Sequence, residues 1–284
     1  MPLFGPNIST MKDKHDLAGL LHALKGKDAR TRREAIKALG ELGARSAVPA
    51  LVEILLADQN DVAEKAESAE ALGKIADAAA IEPLVKANEI SKERERALID
   101  MAIATPDRRY RAEFYVNRIA TDEYLLRGAI ANALARIGGT RAVQALFEML
   151  ATEAGRMESS VKSAIKDAIG GALRKGDAEF VPRLCDALKH KSEEVRACAA
   201  DCLGGFSAAQ AVEALLDVAC DEDETFSARA EALASLGQIG DRSVLPHLED
   251  VMRAGNRVLA RDAEHSATQI RQRYPLPLFE DAGA

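Results

Sequence analysis

The chain has 284 residues, of which 48% are hydrophobic and 29% charged, the composition of an ordinary globular protein. Tryptophan is absent and aromatic residues make up only 4%, so a buried core has to be built mainly from alanine, leucine, isoleucine and valine. The net charge of −7 argues against a general nucleic-acid-binding protein, because such proteins draw much of their affinity from a basic surface.

At the start of the chain, residues 1–15 are predicted to form an N-terminal cap segment. They lack the basic region followed by an apolar stretch that is typical of a signal peptide, so we do not expect secretion. The chain has no run of 18 apolar residues, so we do not expect a membrane span. From Leu17 to Leu24 the leucines recur at helical spacing, which predicts a helix. All four cysteines lie between residues 185 and 220 instead of forming a spread disulfide framework, which favours a cytoplasmic protein.

The stretch ALGELGARSAVPALVEIL (38–55) is the first of a set of related segments. Further copies begin at residues 71, 133, 202 and 235, with a weaker copy at 171. The second residue of each copy serves as an anchor: Leu39, Leu72, Leu134, Ala172, Leu203 and Leu236. The anchors lie 31 to 38 residues apart except for one gap of 62, which predicts a further repeat centred near Ile103. A period of this length is typical of a solenoid.

Each repeat is predicted to contain two helices. Upstream of the first anchor, Ala35, Ile36 and Leu39 share one helical face, and Val48 and Leu51 begin a second such face downstream. Eleven residues before the anchors stand side chains that favour helix N-caps: Asp28, Asp61, Ser192 and Thr225. Val258–Tyr274 is predicted to be a lone first helix, and residues 274–284 a C-terminal tail.

The glycines of the first copy, Gly40 and Gly43, raise the alternative of a phosphate-binding or nucleic-acid-clamping loop. A ligand loop is normally unique in a chain, whereas this glycine pattern recurs with the helix pair. We therefore predict that the glycines form structural turns between the two helices.

The recurring signature A-L-G-x-[IL]-G-x-x-x-[AV]-[VI]-x-x-L resembles HEAT repeats of the short type named for phycobilisome lyases, over residues 16–273. This resemblance implies an all-α, right-handed α-solenoid of about seven to eight helix pairs, with residues 1–284 as a single domain. In the family, a cation seven residues before the anchor commonly ties neighbouring repeats through acidic residues. The matching cations here are Arg32, Lys65, Arg127, Arg196 and Arg229.

The family resemblance implies binding rather than catalysis, as in scaffolds, adaptors and regulatory subunits. A minority of similar proteins are bilin lyase subunits or phycobilisome-turnover factors, and this alternative stays open. A resembling di-iron hydroxylase class carries repeated His-Glu dipeptides, and none of the five histidines here precedes a glutamate. The chain also lacks a phosphate-binding loop, a nucleophile elbow and a dinucleotide fingerprint. We expect no catalytic, cofactor-binding or metal-binding residue.

Two cysteines, Cys198 and Cys202, lie four residues apart on one predicted helix and could share a metal ion. No further ligands stand at a recognisable spacing, and structural zinc normally requires four. Cys202 takes the small position filled elsewhere by Ala38 and Ala71, so we expect it to be buried and Cys198 to be more exposed.

The second helices line the concave side of HEAT solenoids, so their outward positions are the candidate partner-binding residues. Fourteen residues after the anchors, and one turn earlier in two helices, this surface is mainly acidic: Glu53, Glu82, Glu148, Asp186, Glu213, Asp217 and Asp250. One interpretation is a groove for a basic peptide or protein, because the field of such a groove favours capture of a cation. The alternative is that these acids only keep exposed helices hydrated.

A second candidate surface lies in residues 91–119, where basic and aromatic residues alternate. Its candidate residues are Arg108, Arg109, Tyr110, Arg111 and Tyr115. Such a mixture can hold phosphates and stack bases, although a charge-rich helix is usually a solvated face. The sequence thus predicts a non-catalytic scaffold for a protein or peptide partner, with nucleic-acid binding as the weaker alternative.

Overall fold

The computed structural model describes residues 7–104, 109–153, 160–173 and 179–275. Within these ranges the chain forms α-helices and short 3-10 turns, and no strand is present. The helices are α1 (Ile8–Asp13), α2 (Leu17–Ala23), α3 (Ala29–Glu41), α4 (Val48–Leu56), α5 (Val62–Ile75), α6 (Ile81–Ala104), α7 (Arg109–Ile137), α8 (Gly139–Glu153), α9 (Ser160–Leu173), α10 (Phe180–Ala187), α11 (Glu193–Leu203), α12 (Ala209–Cys220), α13 (Phe226–Ile239), α14 (Leu245–Arg253) and α15 (Arg257–Arg273). The predicted all-α solenoid fold is confirmed.

The chain divides into two compact units. The N-terminal unit comprises Met1–Met149 with Gly155–Ala172, and the C-terminal unit comprises Leu150–Ala154 with Leu173–Ala284. In the N-terminal unit the first helices α3, α5 and α7 pack in succession, and the second helix α4 packs on α6. In the C-terminal unit, α11, α13 and α15 form one layer and α10, α12 and α14 form the other. The predicted extent of a single domain over 1–284 stays a prediction.

Side chains at the expected position cap the first helices. Asp28 and Asp61 accept hydrogen bonds from backbone amides in the first turns of α3 and α5, at 2.9 and 2.7 Å. Thr225 does the same at the start of α13. Ser192 occupies the N-cap of α11, but its hydroxyl is bonded to the carboxylate of Glu194 instead.

The repeat predicted near Ile103 is absent from the described residues, and that part of the prediction is wrong. Between the anchors Leu72 and Leu134 the chain forms one long helix pair, α6 with 24 residues and α7 with 29. Helix α5 packs directly against α7, so no further first helix lies between them. The residues after Asn88 continue α6 by several turns, and α7 begins 25 residues before its anchor, whereas α3 and α5 begin ten residues before theirs. The two extensions together account for the gap of 62 residues.

The two glycines of the first signature have different roles. Gly43 adopts a φ of +61° in the turn after α3, as predicted. Gly40, in contrast, lies inside α3, and a Cβ atom added to it would be 2.7 Å from the Cα atom of Ala71. Gly73 meets Ala133 at the same calculated distance. The first glycine therefore allows successive first helices to approach closely, and its predicted role in the turn is wrong.

Replacing Gly73 by alanine is expected to lower the free energy of unfolding by about 1–3 kcal/mol, because the new methyl group would overlap the backbone of α7. Urea denaturation followed by circular dichroism measures this change. Gly128→Ala in α7 is the matched control, since its added Cβ meets no atom within 4 Å. The control is expected to stabilise the chain by up to about 1 kcal/mol through helix propensity. Equal effects of the two variants would contradict the close-packing role.

The last described helix, α15, lies where a further first helix was predicted. Leu259, Ala263 and Ile270 are buried on one side, while polar residues occupy the other. Arg273 donates to the backbone carbonyls of Gly237 and Gly240 at the end of α13. No helix in the described ranges is long and apolar enough to cross a membrane.

Candidate functional site

Arginine contacts join the repeats and belong to the scaffold. Arg32 approaches Glu64 of the next repeat, with 2.6 Å between Nη2 and Oε1, and also donates to two backbone carbonyls in the turn after α2. Arg196 has the same arrangement, with two 2.8 Å hydrogen bonds to Glu224 and two donated to the turn after α10. The contacts through acidic residues that the family resemblance implied are confirmed at these two positions.

Arg127 departs from this pattern because its acidic partner precedes it in the chain. Its Nη1 donates to Oε2 of Glu95 on α6 at 2.9 Å, and the two side chains are 0% and 3% exposed. Arg32 donates to carbonyls that lie in the turn after the preceding second helix, α2. Helix α6 does not end at the corresponding position, so its carbonyls there are bonded within the helix, and the carboxylate of Glu95 accepts from Arg127 instead. The guanidinium carbon also lies 4.9 Å from the centre of the Tyr124 ring.

One cation, Arg141, lies among the predicted acidic residues of the N-terminal unit. Arg141 on α8 donates to Glu82 on α6, with 2.7 Å between Nε and Oε1, and its Nη1 lies 3.5 Å from Glu148. The hydrogen bond from Arg141 holds the pKa of Glu82 below its usual value. Glu53 is exposed on α4, and the exposed cation Lys86 lies on α6. This face of the N-terminal unit therefore has mixed charge.

Arg141 is the residue of this face that the sequence prediction missed. It lies seven residues after Leu134, at the start of its helix, and so outside the column of outward positions. Counting all charges in the second helices, instead of the acids at one position, would have found it.

The remaining predicted acids form what we call the C-terminal acidic surface: Asp186, Glu213, Asp217 and Asp250, all exposed. Asp186, Asp217 and Asp250 each follow a buried leucine by two residues, on helices that pack side by side. Residues two positions apart in an α-helix are separated by about 200° around the helix axis, so each carboxylate points away from the core. The structure thus places these three acids at equivalent outward positions of α10, α12 and α14.

The electrostatic field of this surface acts on the neighbouring thiol of Cys220. Partial burial raises the pKa of Cys220, and the nearby carboxylates of Asp250 and Asp217 raise it further against the opposing effect of Arg229. Burial likewise raises the pKa of the Cys185 thiol. Both thiols are therefore held in the protonated form, which is the poor nucleophile.

Asp250 is the one member of the surface with an ion pair among the described residues. Its Oδ1 lies 3.0 Å from Nη1 of Arg253, but both side chains are more than 70% exposed. A pair this exposed contributes little binding energy, so Arg253 is easily displaced by a competing cation.

The secondary candidate surface falls on parts of the chain that the structure does not describe in full. Arg108 lies outside the described residues. Arg109, Tyr110, Arg111 and Tyr115 lie in the first turns of α7, but their side chains are outside the description.

The cysteine pair on α11 shows the reverse of the predicted exposure. Cys198 is buried and Cys202 is half-buried. The equivalent position of α5 is Glu67, which is also buried and lies against Arg33 of α3. In the described ranges, no three His, Cys, Asp or Glu side chains are grouped so as to hold a metal ion.

Two family models match the sequence. The model described as HEAT repeats matches residues 17–104 and 181–267, and the one described as PBS lyase HEAT-like repeat matches residues 126–152. No curated protein sequence matches the chain.

Several solved structures are similar over most of the chain. Human deoxyhypusine hydroxylase in complex with glycerol is 18% identical, covering 93% of this chain and 88% of that one, with a TM-score of 0.37. The complex of CpcE and CpcF of phycocyanin lyase from Nostoc sp. PCC7120 is 17% identical, covering 95% and 98%, with a TM-score of 0.41. An archaeal HEAT-like repeats protein from Thermococcus onnurineus NA1 is 13% identical, covering 93% and 91%, with a TM-score of 0.36. Since every TM-score is below 0.5, the family assignment depends on the sequence models.

Proposed function

Because the chain belongs to the HEAT-repeat family, whose model matches more than half of it, we propose that it binds a basic protein segment through the C-terminal acidic surface. HEAT repeats are typically protein-interaction scaffolds and are generally not enzymes. The observation that supports this choice of surface is the row of outward carboxylates on three adjacent helices. The acids of the N-terminal unit do not support a site of equal strength, because one cation, Arg141, lies within ion-pair distance of both Glu82 and Glu148.

The geometry of the row favours an extended partner. Asp186, Asp217 and Asp250 occupy equivalent positions on successive helices, and packed helices lie about 8–10 Å apart. A chain in the extended polyproline II conformation has three residues per turn and rises about 3.1 Å per residue, so every third side chain lies on the same side, about 9 Å from the next. A segment that crosses the helices with lysine or arginine at every third position would therefore bring one cation to each carboxylate.

Reversing the charge of the row is expected to abolish this recognition. In the triple variant Asp186→Lys, Asp217→Lys, Asp250→Lys, the affinity for a fluorescent peptide with lysine at every third position should fall by at least about tenfold, because each attraction becomes a repulsion. Fluorescence anisotropy at physiological ionic strength measures the change. A peptide with the same number of contiguous lysines should bind the unmodified chain more weakly than the spaced peptide.

A second triple variant controls for net charge. Glu193, Asp201 and Glu264 are exposed acids on first helices of the same unit, and changing all three to lysine alters the net charge equally. This control should retain the affinity within about a factor of two, since charges away from an interface act mainly through screened long-range attraction. The proposal fails if the two triple variants weaken binding alike, or if neither of them does.

We do not extend the proposal to bilin lyase activity or to nucleic-acid binding. The first is supported only by the description of the model matched at residues 126–152. The second requires the side chains of 102–121, which lie outside the description.

A further inference from the structure

The interior between α5, α6 and α7 contains a group of buried polar side chains. Three helices contribute side chains that are at most 3% exposed, which we call the α5–α7 polar interior: Lys65, Ser68, Asn88, Ser91 and Glu123. Asn88 stands sixteen residues after its anchor, a position filled by leucine in other repeats, as in Leu55, Leu150 and Leu188. The N-terminal unit thus replaces part of its hydrocarbon core with hydrogen-bonding groups at this one repeat.

The helical period brings these side chains to common faces. Lys65 and Ser68 are three residues apart on α5, and Asn88 and Ser91 are three residues apart on α6, so each pair lies on one side of its helix. Both helices pack against α7. The two buried polar pairs are therefore contributed by helices that share α7 as a neighbour.

The third helix adds a carboxylate to the same region. The Gly73–Ala133 contact fixes α5 and α7 side by side, and Glu123 lies near Lys65 in that register. Burial lowers the pKa of Lys65, with Arg94 adding to this effect, while the carboxylates of Asp58 and Glu123 oppose it. The ammonium and the carboxylate are thus close enough to interact electrostatically.

Four atoms of this interior lack a hydrogen-bond partner among the described protein atoms: Ser68 Oγ, Asn88 Oδ1, Ser91 Oγ and Glu123 Oε2. Buried serines elsewhere in the chain are satisfied. Ser235 donates to the carbonyl of Ala200 and Ser266 to that of Leu233, both at 2.8 Å. A buried polar group without a partner costs about 1–3 kcal/mol, so four such groups in one place require partners of another kind.

We propose that the α5–α7 polar interior is an internal hydration site, in which ordered water molecules bridge Ser68, Asn88, Ser91 and Glu123. Water fits because the site needs both donors and acceptors: the amide and carboxylate oxygens accept, whereas the ammonium of Lys65 donates. Buried water typically makes about three hydrogen bonds to such groups. The site shares no residue with the C-terminal acidic surface, so this proposal can be tested independently of the proposed function.

The direct test is a crystal structure of the full chain at a resolution that shows ordered water. We expect water oxygens within about 3.2 Å of Asn88 Oδ1 and of Ser91 Oγ. Ser91→Ala should remove the water next to residue 91 and keep the one at Asn88. Direct protein–protein hydrogen bonds at these atoms, with no water between them, would overturn the proposal.

Hydrogen–deuterium exchange gives a second, independent readout. Asn88→Leu restores the residue found in other repeats and should displace the water, slowing exchange of the backbone amides in α5, α6 and α7 by about tenfold. Ser235→Ala is the control at a satisfied buried serine, and it should accelerate exchange in α11 and α13 instead. If Asn88→Leu accelerates exchange in α5–α7, or leaves it unchanged, the site is not hydrated. The crystal structure of the unmodified chain decides the matter even if Asn88→Leu does not fold.

Discussion

Replacing Arg127 by alanine is expected to lower the free energy of unfolding by about 3–5 kcal/mol, because it leaves the carboxylate of Glu95 buried without its cation. Urea denaturation followed by circular dichroism measures the loss. The matched control is Arg30→Ala, which breaks an exposed pair with Glu34 on α3. An exposed pair of this kind contributes about 0–1 kcal/mol, so the control should change stability little.

A double variant separates the charge from the packing. Changing Arg127 to methionine and Glu95 to leucine together replaces the buried pair with apolar groups of similar length. Such replacements are often neutral or stabilising, so the double variant should recover most of the lost stability. If Arg127→Ala costs no more than Arg30→Ala, the Glu95 carboxylate is stabilised by other groups and the pair has no structural role.

The anchor leucines are the second position where a large effect is expected. Leu39 is fully buried, and Leu39→Ala should lower the free energy of unfolding by about 2–5 kcal/mol through lost burial and the cavity left behind. The same denaturation experiment applies. Leu125 is the control, since this leucine of α7 is 64% exposed and its change to alanine should alter stability only slightly. Similar losses at both positions would show that burial at the anchor is not what stabilises the repeat.

The features that depend on local spacing could be predicted from the sequence. Capping by Asp28 and Asp61 follows from the chemistry of a short polar side chain at a helix start, and the structure confirms it. The lone helix at the C-terminal end was also predicted within one residue at each end. Both depend on contacts between residues a few positions apart, which the order of residues determines directly.

The features that depend on where a helix stops could not be predicted in the same way. A gap of 62 residues equals two periods, so the spacing alone predicted a further repeat near Ile103. Helix α6 instead continues past Asn88 to Ala104, and the chain forms one longer pair. The repeat period gives the number of residues between two signatures, but it does not show how many helices begin and end in that interval.

The charge of the candidate face depends on pairs that are distant in sequence. Glu82 and Arg141 are 59 residues apart and meet only because α6 and α8 are neighbours. The sequence placed seven acids on outward positions but did not predict which of them would meet a cation. In the N-terminal unit, Glu82 and Glu148 lie in ion pairs with Arg141, so we keep only the C-terminal acidic surface as the proposed binding surface.

The long pair α6 and α7 shows how a repeat array can accommodate two lengthened helices. At about 1.5 Å per residue, the 29 residues of α7 extend about 44 Å, whereas the 14 residues of α5 extend about 21 Å. Helix α7 still meets α5 through the Gly73–Ala133 contact, so the added turns leave that junction intact. Since each repeat touches only its neighbours, two helices can be lengthened in this way without forcing the rest of the array to repack.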